Sequence, residues 1–539
     1  MTTCEIIESP PDQTALPTSG HQLAASVGRN TIFGIISGFT QVATRLATIP
    51  IVIAHLGLGG YGIWAIIMTT AAYMRFGAVG VKSAFQKYVA EATGSGDYNK
   101  ANKLLSTGCA VMLVLSVAGL IPIFLFSGGI ARLAGVPAPF MKQTSAAISV
   151  LALIMVMSNV GAVFEAILMG GHRIDIARRF TTGFTVAEAV AIVALLHFGH
   201  GLLAMASVMG VSELGFVACC YLASLKVVPQ IRLKAKNVTS KVLGELFRFA
   251  GSYQLVSVLQ ISYVSILPIA ILRVFGADYT GMYALSVRLI SPAAMLQDAF
   301  LLSILSGGSM VYATGSNESM RDLLHKSFKV SLAFAVIPMA LLAAFGTTII
   351  FAWTGQNAPE FRTALVLVSI AAVFRGISIL GLVLYRISGN ALLDNLRQVF
   401  VIITLLCATV FTRQLGFYGL LGALAVAEFI GMLFMIYAVA RTFHVFRPAV
   451  LFSDALRVAA ATIGVVVVGF LVTQIPLPSA GPRVSATVRS GFIFIACGAA
   501  LWPAFLVSKF MTVTEGQTLF RVLWARRSNP TNCAEVGSA

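Results

Sequence analysis

The chain has 539 residues, 58% of them hydrophobic and only 11% charged, with a mean hydropathy of +0.89. Water-soluble domains carry about 25% charged residues, so a soluble enzyme or a chain of soluble domains is excluded and the unit of organisation is the membrane-spanning helix. The formal net charge of +17 is then read as topology, because Lys and Arg gather in cytoplasmic loops, and no nucleic-acid partner is expected.

In chain order, residues 1–27 are polar, contain Glu5, Glu8 and Asp12, and lack the basic start and apolar core of a signal peptide, which predicts a disordered cytoplasmic tail. Hydropathy with flanking Gly, Pro and charge signals places helices near 29–55, 60–82, 104–127, 145–170, 180–199 and 201–225. Between the second and third, KYVAEATGSGDYNKANKLL is apolar on one face. It reads equally as an interfacial helix and as a solvated connector. A cytoplasmic linker over 227–243 carries the RLKAK run at 232, and further helices follow near 245–274, 279–308, 327–354, 362–387, 397–414, 417–441, 455–475 and 489–509. A second cytoplasmic tail runs over 511–539.

Fourteen crossings put both termini on one side, and the tails and loops of that side hold about 26 of the 37 Lys and Arg. Both termini are therefore expected in the cytoplasm. None of the seven Cys stands in a CxxC or metal-ligand pattern, and those in apolar segments read as buried thiols. No metal and no bound cofactor are expected. Tyr61, Trp64, Tyr279, Tyr283 and Trp353 read as an interfacial belt, with sugar stacking as the alternative, and Pro50, Pro122, Pro268, Pro292 and Pro338 are expected to bend their helices.

The chain repeats itself. PIVIAHLGLGGYGIWA at 50 matches PIAILRVFGADYTGMYA at 268, ATGS at 92 recurs at 313, Gly171 matches Gly389, and GLL at 201 recurs at 419. A common offset of about 218–221 residues marks an internal duplication. Each copy holds six crossings, so both enter the membrane in the same orientation, related by a pseudo-two-fold axis along the membrane normal. The expected architecture is an all-α polytopic protein of about 14 transmembrane helices. It comprises an N-lobe over 28–226 (helices 1–6), a C-lobe over 244–442 (helices 7–12), and two appended helices over 443–510. This is the plan of an alternating-access transporter with a central cavity.

The basic residue before a polar-spotted first helix, the LGLGGYGIWA turn and the AEATGSGDYNKANKL connector together resemble the polysaccharide transporter family, the Wzx-type O-antigen and exopolysaccharide flippases. That family lies in the multidrug, oligosaccharidyl-lipid and polysaccharide (MOP) exporter superfamily. The resemblance covers the first twelve helices. It implies transport of undecaprenyl-pyrophosphate-linked oligosaccharide repeat units across the bacterial inner membrane for lipopolysaccharide, exopolysaccharide or capsule synthesis. It also implies membrane lipids, a polysaccharide polymerase and a chain-length regulator as partners, and because the duplicated halves give a complete cavity within one chain, a functional monomer is expected.

Four arginines, Arg45, Arg75, Arg288 and Arg375, fall inside predicted spans, where each costs about 2.5–3.5 kcal/mol on insertion scales. A guanidinium matches phosphate oxygens in bidentate geometry, so a lipid pyrophosphate is one source of the missing counter-charge. Gln41, one turn from Arg45, is the expected polar neighbour. Arg45, Arg75 and Arg288 also lie in the first, second and eighth helices, which resembles the arrangement of essential arginines in the lipid II flippases. The alternative is pairing with Glu165, Glu188, Glu213, Asp298 or Glu428. Asp298, beside Gln297, and then Glu165 are the candidates for coupling to a proton or sodium gradient.

Three other functions compete. A multidrug exporter for cations would favour acids in the first two helices, which instead carry Arg45 and Arg75. A polymerase or glycosyltransferase would need a large outer loop or paired carboxylates, whereas the longest outer loop, around SGGIARLAGVPAP, is about 18 residues and no GxxxxGKS appears. The expectation is therefore a non-enzyme. A lipid II flippase suits the two appended helices.

Overall fold

The computed structural model describes residues 20–74, 78–239, 244, 259, 261–313, 317–357, 359–387, 392–443, 448–476, 481–508 and 510, and every regular element among them is helical. The helices are α1 (Gly20–Met74), α2 (Ala78–Ser95), α3 (Tyr98–Leu125), α4 (Ser127–Leu133), α5 (Ala138–Gly170), α6 (Ile174–His197) and α7 (Leu202–Val227). They continue with α8 (Ile261–Phe275), α9 (Ala277–Ala313), α10 (Asn317–Thr354), α11 (Glu360–Ile387), α12 (Leu392–Thr412), α13 (Gly416–Phe443), α14 (Pro448–Thr473) and α15 (Pro482–Val507).

Ten described helices are long and apolar enough to cross a bilayer. The first of them, within α1, holds two crossings in one helical run, broken only at Gly57 (φ 72°, ψ 173°). The segment LGLGG, expected as an outer loop, is thus a single-residue break. A φ of that sign strains any residue with a Cβ, so the position is confined to glycine. Gly276, between α8 and α9, has φ 94°, and the two glycines occupy matching places in the duplicated sequence. With α8, α9 and α12, the count agrees with the fourteen crossings read from the sequence. Pro50, Pro122, Pro292 and Pro338 lie inside helices whose assignment runs on through them.

Contacts divide the chain into two compact units, Met1–Ala284 and Leu285–Ala539. In the first, α5 packs most extensively on α7, α1 lies against α6 and α5, and the short α4, inside the expected outer loop, rests on α5. In the second, α11 packs on α13, α12 on α13, and α10 on α11. The α5–α7 and α11–α13 interfaces are equivalent in the duplication. Each depends on small residues that let helices approach, as is usual where lipid supplies no hydrophobic drive for association. A Cβ on Gly210 would lie 2.8 Å from Ile154, and one on Gly381 3.0 Å from Met435.

The helix α2 answers the open question about the connector. Phe85, Tyr88, Val89 and Ala92 are buried in a cluster with Leu104 and Leu105 of α3, Val163 and Ala166 of α5, and Val227 of α7. Its apolar face therefore packs on protein and is neither lipid-facing nor solvated. Asp97 caps α3, accepting from the backbone N–H groups of Asn99 and Lys100.

The appended hairpin α14–α15 lies on α10 and is fastened at both ends. At one end Asp454 of α14 meets His325 of α10 at 3.6 Å. At the other, Arg483 of α15 donates to the carbonyls of Ala352 and Trp353, at 3.3 and 2.9 Å. Among the described cysteines Cys220 and Cys497 are buried as expected, but Cys407 is exposed on α12. Tyr61, expected in an interfacial belt, is buried.

Candidate functional site

In the first unit, Arg45 is exposed on α1, and Gln41 one turn before it is half-buried. The Gln41 amide donates to Ser37 Oγ at 3.3 Å, so a polar strip of Ser37, Gln41 and Arg45 at i, i+4, i+8 follows one face of a membrane-spanning helix. Arg75 lies outside the described residues.

Glu165, a candidate for ion coupling, is engaged by a base that the sequence placed at the cytoplasmic edge. Lys82 of α2 donates to Glu165 Oε2 of α5, with both side chains largely covered. Burial of the apolar face of α2 against α3 and α5 is what brings Lys82 there.

In the second unit, Arg288 is exposed on α9, and Arg375 of α11 is half-buried. Asp298 of α9 lies within electrostatic reach of Arg375. The neighbouring Gln297 is buried and holds three helices together. Its amide donates to Ser331 Oγ of α10 at 3.3 Å and to the Gly376 carbonyl of α11 at 2.9 Å. A Cβ at Gly376 would come within 2.6 Å of Gln297 Oε1, so a glycine beside Arg375 is required for that bond. The candidate carboxylate Asp298 thus follows a pinned residue, which fixes its height on α9.

Two charged constellations were not singled out from the sequence. Arg397 of α12 donates to Glu428 of α13 at 2.5 Å, and the side chains are 2% and 1% exposed. Asp175, the second residue of α6, is completely buried. Its carboxylate meets Arg173 Nε at 3.1 Å, Arg29 Nε at 3.4 Å and Arg179 Nη2 at 3.7 Å. Asn30 braces this corner from α1: its Oδ1 accepts from the Asp175 backbone N–H at 3.0 Å, and its Nδ2 donates to the His172 carbonyl at 3.1 Å. A signal for both existed in the repeat, since Asp175-x-x-Arg178 matches Asp394-x-x-Arg397.

The acids therefore divide. Glu165 meets Lys82 and Glu428 meets Arg397, while Asp298 lies within electrostatic reach of Arg375. Glu188 and Glu213 are half-buried in α6 and α7. Among the described residues no group of three or more His, Cys, Asp and Glu is placed to hold a metal ion.

No family model matches the chain. It is 22% identical over 357 residues to the uncharacterized membrane protein EpsK of Bacillus subtilis strain 168, which covers 63% of this chain and 66% of EpsK. The chain thus spans just under two thirds of that relative's length. Its fold is similar to that of the lipid II flippase MurJ in an inward closed conformation, with a TM-score of 0.67 and 14% identity over 88% of this chain and 100% of MurJ. It is also similar to an inward-facing multidrug resistance MATE family transporter of the MOP superfamily (TM-score 0.60, 14% identity, 78% and 95% covered). The MATE multidrug transporter DinF-BH gives 0.58 at 18% identity, with 80% and 97% covered. At these identities the likeness is one of fold. It agrees with the all-helical membrane fold expected from the sequence, and these solved neighbours are transporters, not enzymes.

Proposed function

From the fold of the MOP exporter superfamily, which this multi-pass membrane chain carries, we propose that it is a flippase for undecaprenyl-pyrophosphate-linked oligosaccharide repeat units in polysaccharide export. The observation that carries the reading is the sign of the intramembrane charge. Arg45 and Arg288 are exposed on spanning helices and Arg375 is half-buried, which suits an anionic lipid headgroup and disfavours a cationic drug. Arg45, Arg75, Arg288 and Arg375 supply guanidinium forks to the pyrophosphate, with Gln41 beside Arg45. The residue assigned to coupling with a proton or sodium gradient is Asp298, since Glu165 is held by Lys82.

In this reading the protein sits in the bacterial inner membrane with both termini cytoplasmic, acts as a monomer, and hands its product to a polymerase and a chain-length regulator. Lipid II is the second candidate substrate. It is favoured by the match to the full length of MurJ, which leaves no part of that flippase uncovered.

The test is deletion of the gene in its host followed by mass spectrometry of extracted lipids. Accumulation of a complete polyprenyl-pyrophosphate oligosaccharide supports the proposal, and accumulation of lipid II supports the second candidate. Unchanged lipid pools with raised sensitivity to cationic drugs overturn both. Complementation with Arg45→Ala, Arg75→Ala and Arg288→Ala proteins, each present in the membrane, should then restore little polysaccharide. Normal export from all three removes the arginines from the site.

A further inference from the structure

A feature beyond the transport reading is the unequal charge of two matching corners. In the repeat, GHRIDIARRF at 171 corresponds to GNALLDNLRQVF at 389, and Arg29 stands at the same offset from Arg248 as Asp175 from Asp394. The second stretch carries one acid and one base, with Arg248 at the place of Arg29, and its Arg397 meets Glu428. The first carries one acid and three bases, and Arg29 reaches the same carboxylate from α1. The one Asp175 carboxylate is thus shared by Arg29, Arg173 and Arg179, and Asn30 holds its backbone in place.

The corner stands where two apolar runs begin, Ile32–Ala71 in α1 and Ile174–His197, and so at headgroup depth. Arg29 and Arg179 keep 41% and 55% of their side chains exposed. From Arg29 an apolar stripe descends α1 at helical spacing, with Ile32 and Ile36 well exposed and Phe39 76% exposed. The Arg179 guanidinium lies 4.4 Å from the ring of Phe33 of α1, a cation–π contact that holds it against that helix. A cationic head above an apolar stripe is complementary to an anionic amphiphile.

We propose that Arg29, Arg173 and Arg179, held on Asp175, form a binding site for the phosphate of an anionic phospholipid whose acyl chain lies along Ile32, Ile36 and Phe39. The occupant is a resident lipid of that leaflet, distinct from the transported molecule.

The experiment is native mass spectrometry of the full-length protein, delipidated in detergent and titrated with phosphatidylglycerol, cardiolipin or phosphatidylcholine. Wild-type protein should retain the two anionic lipids over phosphatidylcholine, less so as ionic strength rises. Arg29→Gln/Arg179→Gln, which leaves Arg173 on Asp175, should weaken that retention at least about tenfold through loss of two charge-assisted contacts. Arg29→Lys/Arg179→Lys should keep most of it.

Equal retention of phosphatidylcholine, salt-independent binding, or equal binding by wild type and the Gln pair would overturn the site. Displacement of phosphatidylglycerol by an equimolar polyprenyl pyrophosphate would also overturn it, giving the corner to the transported lipid. The readout uses no transport, so a failed substrate assignment and a failed lipid site are told apart. If the Gln pair unfolds, the salt dependence of wild-type retention decides the question alone.

Discussion

Breaking the Arg397–Glu428 pair isolates the energetics of a charge inside this fold. Glu428→Gln leaves a guanidinium, 2% exposed, without its carboxylate in a helix interface. Removing one partner of a buried ion pair costs about 3–5 kcal/mol, because the other charge stays buried and uncompensated. Arg397 Nε already lacks a hydrogen-bond partner, so the intact pair returns less than its Coulomb attraction suggests. Replacing both residues by apolar ones of similar size, Arg397→Met with Glu428→Leu, should bring stability back to within about 1 kcal/mol of wild type. Arg397→Met alone should be about as damaging as Glu428→Gln. The assay is equilibrium unfolding of purified protein in micelles or bicelles, read as a double-mutant cycle. Ordinary hydrogen bonds between membrane helices couple by about 0.6 kcal/mol on average, whereas the losses expected here amount to a coupling of about 5 kcal/mol or more, the mark of a desolvated pair. Single substitutions costing under about 1 kcal/mol, or a double mutant that loses the full sum, would refute the reasoning.

Three further expectations follow from particular contacts. Lys82→Glu and Glu165→Lys should each lower thermal stability by roughly 1 kcal/mol, discounted because the pair is partly hydrated, and the double exchange should recover most of the loss; an additive double mutant would show that the contact contributes nothing. Gly62→Val should be expressed yet fail to support function, because a Cβ at Gly62 meets the Ala277 carbonyl and the Gly281 amide inside contact distance; full complementation of a deletion strain would show that the crossing is free to open. Gln297→Met should cost about 1–3 kcal/mol by leaving Ser331 and the Gly376 carbonyl unsatisfied, measured by thermal melting, whereas an unchanged melting temperature would mean that other donors replace it.

The spanning helices were legible because their signal is an integral over about twenty residues, which single charges barely move. Where hydropathy had to end a helix, it ended it at a charge, and that rule misplaced the two ion pairs. Hydropathy starts this helix at Arg397, on the cytoplasmic side, whereas α12 begins at Leu392 and Arg397 is buried against Glu428. The same rule ends the second helix at Lys82, whereas α2 continues to Ser95 and carries Lys82 to Glu165. The amphipathic face of α2 was visible, but amphipathicity states only that one side avoids water. Whether lipid or protein covers that side depends on α3, α5 and α7, which lie far off in sequence.

The duplication separates what the fold needs from what the site needs. Backbone devices recur in both copies: the positive-φ glycines Gly57 and Gly276 and the α5–α7 and α11–α13 interfaces. These serve chain reversal and helix approach, which both halves must achieve. Charge does not recur in the same way. The first half holds Arg45 on its opening helix and a surplus of arginine around Asp175, while the second neutralises Arg397 internally and sets Arg375 against Asp298. Since the backbone requirements are met alike in both copies, folding alone gives no reason for the charge to differ. On the proposed reading the difference serves binding, so the arginines, and not the glycines, are the residues to vary in a search for the ligand.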